Sequence, residues 1–277
     1  MDLEAKVDRL RALLAELPSA LVAFSGGVDS SFLLRVAGEV LGDRCVALTT
    51  LSPTTPADDV EDAKRLAASL GVEHVLVEAN ELEIAGYAEN PINRCYFCKD
   101  NLFTICAAEA QRRGGTVVLD GANVDDLNDH RPGLQAAAEQ GVRHLLVEAA
   151  LSKADIRAAS RRLGLSTWDR PSSPCLSSRF PYGTRITPER LAQVEAAERF
   201  LRARGFGDLR VRYHEQVARL EVPEADMPRL LEAGTRTEIV AELKRLGFTW
   251  VALDLQGFRS GSLNEILPAL KTRRAGA

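Results

Sequence analysis

The sequence lacks several features that would each have named a class of function. It has no excess of positive charge: over 277 residues, 35 Lys and Arg face 39 Asp and Glu, a formal net charge of −4. That balance argues against a generic polyanion binder, because nonspecific nucleic-acid affinity comes mainly from basic side chains neutralising phosphates. No apolar run approaches the roughly 20 residues that span a bilayer. The opening Met1-Asp2-Leu3-Glu4 is acidic and amphipathic, where an export signal would be basic and then apolar. The expectation is therefore a soluble, cytoplasmic chain with neither a membrane nor a nucleic-acid partner. Internal repeats and low-complexity tracts are absent too, and Lys271 to Arg274 reads as a frayed, solvated end. Cysteine is scarce and odd in number, 5 in all. Two of the five form C-x-x-C, which favours metal or redox chemistry over a disulfide framework.

The length suits one large domain or two smaller ones. An apolar stripe of Leu3, Val7, Leu10, Leu13 and Leu14 predicts a first helix that stops near Pro18. Short apolar runs then alternate with helical patterns: Ala20 to Phe24, Ser30 to Leu41, Cys45 to Thr49, Ala57 to Leu70, and His74 to Val77. Further strands are expected at Thr116 to Leu119 and His144 to Val147. This alternation implies βαβ units and a mostly parallel sheet, so the fold class is α/β, with ligands expected beyond the carboxyl ends of the strands. Prolines, Gly183 and serines between 166 and 185 mark a boundary. The resulting division is a nucleotide-type domain over 1–170, a linker or active loop over 171–186, and a small α+β domain over 187–277. In the last, Thr187-Pro188 predicts a capped helix start, and Leu209 to Tyr213 with Val217 to Val222 predict paired strands. A helix over Thr237 to Leu246 and a strand over Thr249 to Leu253 complete it.

The most informative stretch is Phe24-Ser25-Gly26-Gly27-Val28-Asp29-Ser30-Ser31, between a strand and a helix. Two glycines let the backbone turn and bring its N–H groups to a ligand, and the helix N-terminus favours phosphate oxygens. Ser25, Ser30 and Ser31 add hydroxyls. The loop lacks the G-K-[ST] of a Walker motif. Its SGGxDS pattern resembles the PP-loop ATP pyrophosphatase superfamily, which implies adenylation of a substrate oxygen and release of pyrophosphate from ATP. Asp29 is the candidate ligand for Mg2+, since hard oxygen donors suit that ion. A helix-capping role is the alternative.

Asn93-Arg94-Cys95-Tyr96-Phe97-Cys98-Lys99 brings two thiols to one centre, with Arg94 and Lys99 favouring thiolates. Cys175 is a third candidate, in Pro171-Ser172-Ser173-Pro174-Cys175-Leu176-Ser177-Ser178-Arg179. Cys45 reads as a core residue. Cys106, eight residues past Cys98, would lie about 12 Å away on one helix and is a poor fourth ligand. Structural zinc usually takes four Cys or His ligands, and no well-spaced histidine completes a set. An iron–sulfur cluster, a redox dithiol beside a separate reactive thiol, and unconnected thiols all stay open on spacing alone.

Five pieces in order narrow the choice: the SGGVDS loop; RCYFCK; Gly121-Ala122-Asn123-Val124-Asp125-Asp126 continuing to Asp129-His130-Arg131-Pro132-Gly133; PSSPCLSSRFPYG; and Gly257-Phe258-Arg259-Ser260-Gly261-Ser262-Leu263-Asn264-Glu265. Together they resemble the LarE family, the sulfur-inserting enzymes of nickel-pincer nucleotide assembly, the cofactor of lactate racemase. The resemblance implies a PP-loop, adenine nucleotide alpha hydrolase-like domain in which Ser25, Gly26, Gly27, Asp29 and Ser30 bind ATP. A carboxylate of a pyridinium dicarboxylate mononucleotide would then be adenylated, and Cys175 matches the family's sulfur-bearing cysteine. In sacrificial members that cysteine gives up its own sulfur and becomes dehydroalanine. The additional Cys95 and Cys98 resemble instead the members whose three cysteines hold a 4Fe-4S cluster fed by an external sulfur donor. Asp125 and Asp126 would steer metal or adenylate, or else be loop carboxylates in water. Arg179 and Arg185 would neutralise substrate phosphate or carboxylate. Arg210 and Arg212 alternate along one strand and, with Arg259, are candidates for substrate phosphate, or else a solvated face. The family resemblance also implies a homo-oligomer, a hexamer. Trp168 and Tyr96 read as packing residues. Three rivals share the loop: a tRNA-thiolating enzyme, an amide-forming ligase, and a nucleotide-binding protein without turnover.

Overall fold

Four aliphatic runs, each too short to be a helix of normal length, pair side by side in the computed structural model, which describes residues 2–128, 132–171, 173–259 and 261–266. Asp129, His130, Arg131, Ser172, Ser260 and the Lys271 to Arg274 tail named above lie outside the described residues. The chain runs α1 (Leu3–Ala15), β1 (Ala20–Ala23), α2 (Val28–Leu41), β2 (Cys45–Leu51), α3 (Ala57–Ser69) and β3 (Glu73–Glu78). It continues with α4 (Arg94–Arg112), β4 (Val117–Leu119), α5 (Pro132–Glu139), α6 (Leu145–Glu148) and α7 (Lys153–Arg162). The strands lie in the order β3-β2-β1-β4, all neighbours parallel, with Ala20 opposite both Cys45 and Val117. Parallel neighbours need crossover connections, which α2, α3 and α4 supply.

Period-two alternation divides the central strand between two cores. Val22 and the following Phe24 pack with Phe32, Leu33, Leu34 and Ala47 on one face. Leu21 and Ala23 pack with Leu48, Phe103 and Cys106 on the other. All four residues of β1 are buried, as expected of a strand covered on both sides. The order reverses between β1 and β4, so the loops after these two strands diverge at a topological switch point, where open α/β sheets take their ligands.

One strand expectation is wrong. His144 to Val147 is not a strand, since Leu145–Glu148 forms the short helix α6, with Leu145 and Leu146 buried. The ladder is continued one residue earlier, where Arg143 N donates to Val118 O and Asp120 N to Arg143 O. An apolar run of three residues is too short to carry a period by which to choose between helix and strand.

The chain divides into two compact units, the first Met1–Tyr87 with Asn93–Ser173, the second Ala88–Ile92 with Pro174–Ala277. In the second, α8 (Pro188–Ala203) opens with Thr187, whose hydroxyl accepts from Arg190 N at 3.3 Å, and with proline in its first turn, where the missing N–H costs nothing. Next come β5 (Arg210–His214), β6 (Val217–Glu221), α9 (Met227–Leu231), α10 (Ala233–Arg245) and β7 (Trp250–Leu253), with sheet order β5-β6-β7. The β5–β6 pair is antiparallel and β6–β7 parallel. The five residues 88–92 are sewn into this unit. Asn90 is fully buried, its Nδ2 donates to the carbonyls of Phe180 and Pro181, and Gly183 N and Ile186 N donate to the carbonyls of Asn90 and Ala88.

Candidate active site

The loop after β1 turns through Gly26, whose φ of +70° belongs to the left-handed region that glycine enters without strain. A Cβ there would also stand 3.2 Å from that of Ala63 on α3. The helix α2 begins with Gly27 as a cap that has no side-chain bond to offer, so the N–H groups of its first turn point outward for a ligand. Within the loop the serines bond only weakly. Ser25 N reaches Ser30 Oγ at 3.3 Å, the two hydroxyls stand 3.2 Å apart, and Gly27 N reaches Ser25 Oγ at 3.4 Å. These are long contacts that phosphate oxygens would improve upon.

Asp29 caps nothing. Its carboxylate accepts from Lys153 Nζ at 2.5 Å and from Asn123 Nδ2 at 3.4 Å. Lys153 stands at the first position of α7, which Ser152 and Asp155 fix by a capping box, and its backbone N–H donates to Asp125 Oδ2 at 2.7 Å. Asp126 Oδ2 accepts from Asn123 N, and Asn123 Oδ1 accepts from Asp125 N, each at 3.0 Å. The two aspartates therefore shape the turn after β4 rather than simply standing in water. That turn touches the phosphate loop, for a Cβ on Gly121 would come within 2.9 Å of Ser30 N. Behind it Asp120 Oδ1 bonds His144 Nδ1 at 2.6 Å and accepts from Ala122 N. The bond to Asp120 raises the His144 pKa above its ordinary value. Lys153, Asn123 and Gly121 escaped the residue-by-residue reading. Only the position of Asn123 and Gly121 within the GANVDD piece could have signalled them.

None of the five cysteines is in a disulfide. Cys95 and Cys98 stand three apart in the first turn of α4, which puts both on one helical face. Cys95 is exposed, and the half-buried Cys98 lies 3.9 Å from Glu81 Oε1. Glu81 is itself buried and accepts from Ser52 and Thr54. Burial pushes the thiols of Cys45 and Cys106 up to about 12, so both stay protonated core groups, as their apolar surroundings suggest. Cys175 is half-buried and belongs to the second unit, whereas Cys95 and Cys98 belong to the first. Among the described residues no group of three or more His, Cys, Asp or Glu gathers in a metal-binding arrangement. The cysteine thiols are nevertheless the donor type that iron–sulfur clusters take.

The arginines differ from one another. Arg179 is fully enclosed and its bonds go to protein groups, against the expected contact with substrate phosphate or carboxylate. Its Nε and Nη2 bond both oxygens of Glu198 at 2.8 and 2.9 Å. Its Nη1 donates to the carbonyls of Pro174 and Cys175 at 2.6 and 3.1 Å and to Ser178 Oγ at 3.0 Å. Arg179 therefore holds the backbone of Cys175 in place. Burial by itself pushes the Glu198 carboxyl up, but the Arg179 bonds and the charges of Arg179 and Arg202 outweigh it and hold it below the ordinary value. Arg210 and Arg212 share one face of the small sheet as expected, yet both are buried. Arg212 donates to Ser178 O, Glu221 and Ser262. Arg210 stacks on Phe258, and burial, with the charge of Arg179 next, lowers it to about 10. This face is an internal polar network rather than a solvated one. Arg185 is exposed and pairs with Glu89, and Arg259 pairs with Glu265. Trp168 packs under Arg161, and Tyr96 donates to Glu139.

The family model for asparagine synthase matches residues 11–225. Over 96% of both chains, the protein is 40% identical to pyridinium-3,5-bisthiocarboxylic acid mononucleotide synthase of Lactiplantibacillus plantarum. The chain belongs to the LarE family. An uncharacterized protein of Synechocystis is 45% identical over 96% of this chain and 99% of its own. Another, of Methanocaldococcus jannaschii, is 30% identical over 87% of this chain and 90% of its own. As a LarE member with the PP-loop domain, the protein is an ATP-dependent enzyme. No helix among the described residues is long and apolar enough to cross a membrane.

Proposed function

We propose that this enzyme transfers sulfur to pyridinium-3,5-biscarboxylic acid mononucleotide, converting a carboxylate to a thiocarboxylate at the expense of ATP. The observation that carries the reading is the joined pair of switch-point loops, Ser25 to Ser30 with Asn123, Asp125 and Lys153, in a chain similar along its whole length to a synthase of the bisthiocarboxylic acid product. The loop N–H groups and Lys153 cradle the pyrophosphate end of ATP, and Asp29 would hold Mg2+ beside it. The substrate carboxylate attacks the α-phosphorus, one P–O bond forms, the bond to pyrophosphate breaks, and an acyl-adenylate results. Sulfur then attacks the activated carbonyl, a C–S bond forms, and AMP departs with the carbonyl–oxygen bond electrons.

Cys95, Cys98 and Cys175 would hold a 4Fe-4S cluster, which when bound supplies an iron able to carry inorganic sulfide from an external donor. The protein's own contribution is to present Cys95 and Cys98 from one helical turn and to hold the Cys175 backbone through Arg179. The test is anaerobic purification with iron and sulfide assay, then intact-mass measurement after reaction with ATP and the mononucleotide. The expected result is bound iron, pyrophosphate release dependent on the mononucleotide, and an unchanged polypeptide mass. Loss of one sulfur at Cys175, leaving dehydroalanine, would replace the cluster with self-consumption. No pyrophosphate release with the mononucleotide would overturn the substrate.

A further inference from the structure

The chain that leads into Cys175 is tied to the phosphate loop before it leaves the first unit. Arg170 donates from Nη1 to the carbonyl of Gly26 at 3.2 Å, and from Nη2 to Asp59 and Asp62 on α3 at 2.9 and 2.7 Å. Ser173 Oγ donates to the other oxygen of Asp59 at 2.7 Å. From the opposite direction, Arg157 on α7 donates to the carbonyls of Trp168 and Arg170. The side chains of Arg170 and Asp59 are only 21% and 18% exposed, so these charge-assisted bonds are partly shielded from water.

The contact with Gly26 is the informative one. The Gly26 carbonyl and the Gly27 N–H belong to a single planar peptide group and must rotate together. At present that N–H makes only the 3.4 Å contact with Ser25 Oγ. Any reorientation of that N–H towards a phosphate oxygen would turn the carbonyl held by Arg170 with it.

We propose that Arg170 is a positioning residue that senses the Gly26–Gly27 peptide and sets the segment ending at Ser173, two residues before Cys175. The inference rests on the nucleotide-binding part of the function proposed above. Arginine suits the task because its fork serves a carbonyl and two carboxylates at once, whereas lysine presents a single point charge.

Hydrogen exchange on the intact protein tests this, read on peptides covering residues 168–176 with and without a non-hydrolysable ATP analogue. In the wild type the analogue is expected to slow exchange about tenfold, the scale of one charge-assisted bond gained or lost. Arg170→Ala should abolish that response, and Arg170→Lys should restore part of it. In turnover, Arg170→Ala should form AMP in about tenfold excess over thiocarboxylate, because an adenylate left waiting is hydrolysed. A merely structural role would lower both products together. Should Arg170→Ala fail to fold, Ser173→Ala removes only the distal tie and is expected to weaken the exchange response in the same direction. An unchanged response in the variants, or parallel loss of AMP and thiocarboxylate, overturns the proposal. Failure of the wild type to bind the analogue in equilibrium dialysis overturns the nucleotide reading and this inference with it. Nucleotide binding and a normal Arg170 response with no reaction on the mononucleotide would overturn the substrate alone.

Discussion

The phosphate loop and the turn behind Cys175 are both short serine-bearing bends in which backbone must be held for chemistry, and they are held in opposite ways. In the phosphate loop the internal bonds run from 3.2 to 3.4 Å and join the exposed Ser25 to the buried Ser30 hydroxyl and to Gly27 N. Behind Cys175 a fully enclosed arginine makes five bonds between 2.6 and 3.1 Å, two of them to a fully enclosed glutamate. In the function proposed above the first set would exchange for ligand oxygens at each turnover, and strong internal bonds would compete with ATP. The second has nothing to release. Its role is to keep the Cys175 carbonyl still, and a buried pair is suited to that because breaking it is costly.

The contrast is broken most severely at Glu198. Replacing it with Gln leaves Arg179 charged and enclosed without its counter-ion, and the expected loss is about 3–5 kcal/mol of unfolding free energy, read by urea denaturation. The pH sign follows. The folded Glu198 carboxyl lies below its unfolded value, so its stabilisation is fully present above the ordinary carboxylate pKa and is lost as pH falls through the folded one. Glu198→Gln should remove that part of the acid sensitivity. A variant as stable as the wild type would mean that the turn is held by something else.

The phosphate loop should respond more mildly and through its ligand. Gly121→Ala pushes a methyl to within 2.9 Å of Ser30 N, and the expected cost is about 1–3 kcal/mol from overpacking, with ATP affinity reduced in titration calorimetry. Lys153→Ala should barely alter the melting temperature, because the Lys153 side chain is 37% exposed and such pairs contribute roughly 0–1 kcal/mol. It should nevertheless weaken ATP binding about tenfold, the effect of losing one charge-assisted contact to phosphate. Lower stability without weaker binding in Lys153→Ala would erase the distinction between the two bends.

What could be read along the chain was whatever depends on near neighbours. The strand–glycine–helix junction at residues 20 to 30, the C-x-x-C face at Cys95 and Cys98, and the Thr187-Pro188 helix start all rest on residues within a turn of one another. His144 to Val147 misleads because a run with only three apolar residues, Leu145 and Leu146 buried among them, is too short to carry a period. Arg179 was read as a ligand for substrate because its partner, Glu198, is 19 residues away and nothing local marks the pairing. The same distance hid Lys153 from Asp29, 124 residues apart, and Arg170 from Gly26, 144 apart.

By itself, then, the sequence determined the α/β alternation, the phosphate-type turn, and which thiols are chemically available, because spacing and side-chain type act locally. Tertiary structure alone decided which charges are spent on one another, that residues 88–92 are built into the second unit, and that the loops after β1 and β4 join through Asp29 and Lys153. Those outcomes depend on which groups meet once water has been expelled, and a buried charge takes whatever partner the fold brings to it.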